Sequence, residues 1–245
     1  MEVHAHSHTA RKKWTHYLWE FLMLFLAVFC GFLAENIRET SIERHREKEF
    51  MHSMINDLKN DTTKLGKNIF AFQQILLEHD TLKKTYPLLA KGFNQVFYTH
   101  LNALTSYPDF IYTDGTIQQL KNSGGLRLIK NHTAVDSIMA YDAQVKKALI
   151  NESILGVLAN KMDDSRVEMF SAQNYDEAVL NGKTRAQMEA EQMEFLLSHD
   201  KVLLTKYYNK IRQYNWLSVI VKENMEELKS AADRLINVLQ KEYHF

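Results

Sequence analysis

The residues able to do chemistry in this chain are scattered rather than convergent. A cysteine nucleophile must reach water as its thiolate, yet the single cysteine, Cys30, sits within an apolar run. No G-x-S-x-G, Walker A, G-x-G-x-x-G or H-E-x-x-H motif occurs. A carboxylate di-iron centre in a helical protein calls for two Glu-x-x-His motifs and a glutamate from each of two further helices. Glu49-Phe50-Met51-His52 is the one match, and Met51 opens an apolar seam that Glu49 and His52 straddle. His4, His6 and His8 alternate as a divalent transition-metal chelate would, but on a tail that lacks the hydrophobic residues needed to hold it. The N-x-S/T triplets at Asn60, Asn131 and Asn151 fall on expected helices and read as accidental. No catalytic residue, metal or cofactor is assigned, and the chain reads as a non-enzyme. Lysines and arginines number 30 and so do aspartates and glutamates, which leaves no field to attract nucleic acid.

The elements that carry these residues are helical. In 245 residues there are 2 prolines and 8 glycines, too few to punctuate a turn-rich β-fold. Phe21 to Ala34 is an unbroken apolar run, extended by Tyr17, Leu18 and Trp19 across Glu20. A membrane span needs about 20 such residues, and Trp14, Tyr17 and Trp19 mark its edge as an interfacial aromatic belt does. A cleaved signal peptide would end in small residues at −3 and −1, and the best local match, Phe32 and Ala34, fails at Phe32. The expected organisation is a basic tail at 1–16, a transmembrane helix at 17–35, a charged stem at 36–50 and a helical domain at 51–245. Arg11, Lys12 and Lys13 are adjacent, whereas Arg38, Arg44, Arg46 and Lys48 are spread among five glutamates. With a large domain that translocates regardless of its charge, this places the N-terminus in the cytoplasm.

Two features of the span go beyond anchorage. Ala27, Gly31 and Ala34 form a small-residue stripe that permits close approach of another helix. Glu20 and Glu35 lie fifteen positions apart, about 22 Å of helix, less than the hydrocarbon thickness. Together these five residues are the candidate packing face of the anchor.

Beyond the stem, whose Glu35/Arg38, Glu43/Arg46 and Arg44/Glu47 pairs suit a solvated helix, three heptad seams follow. The first runs Met51, Ile55, Leu58, Thr62, Leu65, Ile69, Phe72, Leu76; the last runs from Leu204 to Leu239 with Ser218 its only polar member. Between them a helix from about Asn131, its N-cap, to Phe170 carries Ile138, Tyr141, Val145, Ala148, Leu155, Ala159 and Met162, broken by Glu152. Pro87 and Gly92 should bend or end the first segment, Thr105 to Thr113 is a loop, Thr116 to Asn122 a short helix, and Thr184 to Leu197 another. The expected fold is all-α: an elongated antiparallel bundle of three long helices with short capping helices. A parallel coiled-coil dimer is the alternative.

The stretch Tyr112 to Ile129 is the most distinctive outside the anchor. Ser123-Gly124-Gly125 stops a helix, and the amides of Gly124 and Gly125 with Arg127 form a candidate anion or peptide contact. The segments Trp19-Glu20-Phe21, Gly31 to Asn36 and Thr116 to Gly124 resemble those of a family of uncharacterised single-pass bacterial envelope proteins. The resemblance implies inner-membrane anchorage, a periplasmic helical domain and no transferable catalytic residue. The expected function is a membrane-anchored, noncatalytic interaction module that contacts the lipid bilayer and a protein partner or a second copy. The alternative is a periplasmic ligand-sensing bundle that signals through a partner.

Overall fold

The computed structural model describes residues 14–91, 96, 97, 100, 101 and 107–245, and among them it is all-helical, with one isolated antiparallel bridge, Phe170 to Leu196. The tail histidines, the basic triplet at 11–13, Gly92 and Thr105 lie outside the described residues. The chain divides into two units, residues 1–50 and 51–245.

Helix α1 (Trp14–Thr85) runs unbroken through both. It already includes residues 14–16, which the sequence reading assigns to the tail. It stops where Pro87 bars the helical conformation from the residue before it, and the chain tightens into a 3-10 turn, Tyr86–Lys91. Lys83 and Lys84 in its last turn favour the negative end of the helix dipole. Within the first unit every side chain of Phe21 to Ala34 is exposed. An 18-residue window there has mean hydropathy 2.0 and none of it is buried, so the helix is long and apolar enough to cross a membrane.

In the second unit, α2 (Gly115–Asn122) leads through a 3-10 turn (Gly125–Arg127) to α3 (His132–Met169). Asn131 caps α3 as its sequence position implies, its side chain accepting from the Ala134 amide at 3.0 Å. Short elements follow: α4 (Ala172–Tyr175), a π turn (Asp176–Leu180) and α5 (Arg185–Ala190). Asp200 then caps α6 (Lys201–Tyr243) by accepting from Val202 at 2.7 Å. The helix expected over Thr184 to Leu197 ends at Ala190. Gln192 takes φ +50°, and the Leu197 and Ser171 amides donate to Met169 and Phe195, so the end of α3 takes up the hydrogen bonds that a longer helix would have made.

Contacts fix how the long helices of this unit run. His52 meets Phe245 and His79 meets Tyr214, with ring centroids 5.6 and 5.4 Å apart, so α6 runs against α1. Asn131 donates to Glu242, and Lys210 to Ser165 and the Lys161 carbonyl, so α6 also runs against α3. Helices α1 and α3 therefore point the same way, whereas strict alternation along the chain would set these consecutive long helices opposite. From Tyr207 onward every seam residue of α6 is buried, as are all seven named on α3. On α1 the buried lines are Met51, Leu58, Leu65, Phe72, His79 and Met54, Asp61, Asn68, Ile75, Leu82, with the expected Ile55 also buried. The second line differs from the expected Thr62, Ile69 and Leu76, which are only half-buried. Tyr86, Phe97, Phe170 and Tyr207 close one end as a chain of ring contacts.

Replacing Asn131 by Ala removes the α3 cap and its bond to Glu242, and should cost about 1 kcal/mol. Asn131→Ser should recover most of that, measured as the shift in urea midpoint at constant slope.

Candidate functional site

The five candidate anchor residues share one side of α1. At 3.6 residues per turn Glu20, Ala27, Gly31, Ala34 and Glu35 all fall within about 100° of arc. Among the described residues, its own helix turn aside, nothing lies within 4 Å of where a Gly31 Cβ would stand, so the stripe is open. Each flanking carboxylate is engaged by a base one turn outward. His16 lies 3.1 Å from Glu20, and Arg38 forks onto Glu35 at 2.9 and 2.5 Å. The apolar run is thus bounded by two local acid–base pairs. Glu49 pairs with His45 at 3.3 Å, while His52 approaches Asn56 at 3.4 Å, so the Glu49/His52 pair does not converge.

The corner at Gly124 and Gly125 is built by packing. Gly124 has φ +71°, a left-handed stop that a side chain would strain, and the Arg127 guanidinium folds over it. A Cβ on Gly125 would stand 3.1 Å from both the Leu120 side chain and the Ser123 hydroxyl. The Gly124 and Gly125 carbonyls accept from Arg127 and Leu128 at 3.1 and 2.9 Å, closing the turn. The three residues belong to one tight turn, and the arrangement forms a helix stop before α3.

A polar cluster that the sequence reading missed lies at the centre of the second unit. The segment 109–116 runs back along α1 without a strand partner, and α1 supplies the hydrogen bonds from one face, at positions 57, 61, 64 and 68. Asn68 donates to the Asp109 carbonyl at 3.0 Å, and Lys64 to the Ile111 carbonyl and Thr113 hydroxyl at 2.9 Å. Asp61 accepts from the Thr113 amide at 2.9 Å and from the Tyr141 hydroxyl at 3.0 Å; Asp57 accepts from Thr116 at 3.1 Å. From the other side Glu152 of α3 accepts from the Phe110 amide at 2.7 Å. Asp142 of α3 holds Lys121 of α2 at 2.5 Å and Lys146 at 3.0 Å.

Burial pushes the Asp61 carboxyl above the usual aspartate range, which its bonds from Thr113 and Tyr141 offset only in part. Burial likewise raises Glu152 against the bond from Phe110. Burial also acts upward on Asp142, but its two lysines outweigh it and hold that carboxyl low. Tyr141 is pushed far up by burial and then by Asp61. Buried carboxylates with raised proton affinity are a usual mark of catalytic acids. Here Asp61 holds the Thr113 amide and the Tyr141 hydroxyl and Glu152 holds the Phe110 amide, so the arrangement latches a connection in place. The signal in the sequence was Glu152 interrupting the α3 seam, and it was legible only as an interruption.

His79 is the other missed residue. It is 2% exposed, packed on Tyr214, with neither ring nitrogen hydrogen-bonded among the described residues. Burial lowers its pKa to about 4, against the pull of Asp80.

No family model matches the chain, and neither the curated proteins nor the solved structures contain a match to it.

Asp61→Ala strands the Thr113 amide and the Tyr141 hydroxyl and should cost about 2–4 kcal/mol, whereas Asp61→Asn keeps an acceptor and should cost less than half of that. Denaturation of the two variants side by side measures the difference. For His79, the unfolded chain binds a proton between about 6.5 and about 4 that the folded chain refuses. Its share of stability is complete above pH 6.5 and falls as pH drops toward 4. Asp61 and Glu152 act oppositely, favouring the folded state at low pH and less as pH rises through the carboxylate range. His79→Leu should therefore raise Tm more at pH 5 than at pH 8; an equal gain at both would show that His79 does not titrate on unfolding.

Proposed function

We propose that this chain is a single-pass, membrane-anchored and noncatalytic interaction module of the bacterial envelope, a subunit or partner of a membrane assembly. The observation that carries this reading is the apolar run of α1, fourteen residues exposed on every side within an unbroken helix. A water-facing surface of that kind is unstable, and a bilayer is the solvent that suits it. In this reading residues 17–35 span the inner membrane, with the N-terminus cytoplasmic. Residues 36–50 form the polar stem, and 51–245 form a periplasmic bundle of three long helices, the C-terminal half of α1 with α3 and α6. The resemblance of the anchor and of Thr116 to Gly124 to single-pass envelope proteins supports the same placement. The noncatalytic part rests on the engagement of Asp61, Glu152 and Asp142 in holding the fold. The partner contact is assigned to the face of Glu20, Ala27, Gly31, Ala34 and Glu35, which presents the small side chains that allow helices to approach within a membrane.

A photocrosslinking residue at Gly31, compared with one at Phe29 on the opposite side of the helix, tests the reading in native membranes. Gly31 should yield a discrete protein adduct and Phe29 mainly lipid. Lipid adducts from both positions would remove the partner face. Release of the chain by alkaline carbonate would remove the anchor itself, and a C-terminal phosphatase fusion that stays inactive would reverse the topology.

A further inference from the structure

Helices α3 and α6 carry a second apolar stripe that their core seams do not use. On α3, Ile150, Ile154 and Val157 recur at i, i+4 and i+7 and are 61%, 51% and 53% exposed. On α6, Trp216 is 67% exposed, with Val219 and Ile220 one turn further on. Trp216 divides two clefts. One, of about 470 Å³, lies between the helices over Leu158, Leu217 and Ile220. The other, of about 220 Å³, opens toward α1 beside Tyr208 and Val219. An apolar cluster of this extent along a groove is the surface on which a helix docks by its own apolar face.

Charge selects among the occupants. Lys161 lines the first cleft, Lys83 and Arg212 line the second, and no acid lines either. None of these three cations has a carboxylate partner among the described residues. The nearest acids along the two helices are Glu152, buried on the Phe110 amide, Asp163, paired with Arg166, and Glu223, one turn beyond Ile220. A second copy seated cleft to cleft would bring the same three cations and no cleft-lining acid, so it supplies no carboxylate there for Lys161 or Arg212.

We infer that the Trp216 groove between α3 and α6 docks an amphipathic helix of a partner protein, its apolar stripe covering Ile154, Val157 and Trp216 and its flanking acids meeting Lys161, Lys83 and Arg212. The inference rests on the interaction-module reading and gives that module a second contact outside the anchor.

The experiment places a benzoylphenylalanine crosslinker at Ile154, and separately at Val219, in the full chain in native membranes, and maps the adduct by mass spectrometry. The expected adduct is a partner segment with apolar residues at helical spacing flanked by Asp or Glu. Lys161→Glu with Arg212→Glu should lower its yield about tenfold, without changing Tm or the helical circular dichroism, and reversing the partner's acids should restore it. An adduct to a second copy, to lipid, or to a segment without acids overturns the inference, as does the absence of any adduct. If Gly31 still crosslinks a partner while Ile154 and Val219 do not, this groove is wrong and the module reading stands; if all three fail, that reading falls with it.

Discussion

The second unit depends on how the backbone of residues 109–116 is satisfied. Helices α1 and α3 point the same way, and two parallel neighbours cannot be joined by a short loop. The chain must travel back along α1 before α3 can start. From 109 to 114 that return path is neither helix nor strand, so its amides and carbonyls have no ladder, and each one buried without a partner would cost about 1–3 kcal/mol. Side chains of Asp57, Asp61, Lys64 and Asn68 take the place of a ladder, with Glu152 closing from the opposite side. Topology thus dictates that polar residues enter the core seam of both helices.

This requirement accounts for what the sequence made legible and what it concealed. The heptad run of α6 from Tyr207 to Leu239 is buried throughout, with Ser218 satisfied internally by the Tyr214 carbonyl at 2.8 Å. Local chemistry was equally readable: Asn131 as a cap, Gly124 as a left-handed stop, Pro87 as a terminator. On α1, a seam chosen for apolarity alone selects Thr62 and Ile69 where the buried positions belong to Asp61 and Asn68. The partners that make those polar residues tolerable lie 41 to 80 positions away, and nothing local to α1 announces them. The same limit explains Thr184 to Leu197. Met188 and Phe195 stand seven apart, as a helix would place them, and both are buried, but the second reaches the core through a bridge to the end of α3.

The first unit inverts these relations. Along Phe21 to Ala34 the backbone is satisfied within the helix, and the side chains are what lack a matching environment. Its polar groups sit at the two ends, where Glu20 with His16 and Glu35 with Arg38 are joined locally. A segment whose backbone needs nothing and whose side chains need an apolar solvent is what a bilayer accommodates. The composition of the whole chain, balanced in charge and ordinary in apolar content, averages over two stretches of one helix with opposite solvent requirements.

The buried titratable groups bear on function through their accessibility. A catalytic acid gains from a raised pKa only if the group can exchange its proton with a substrate. Asp61 is fully buried with one oxygen on an amide and the other on a phenol, and Glu152 is 7% exposed with an oxygen on Phe110. Freeing either for chemistry would release the return path and leave its amides unpaired. His79 differs, since its nitrogens hold nothing in place, and an apolar side chain of similar size would fill the same space at lower cost. The packing opposes its protonation, with only Asp80 pulling the other way. That makes the packing of α1 on α6 weakest in acid, where the imidazole gains a charge that the interior does not accommodate.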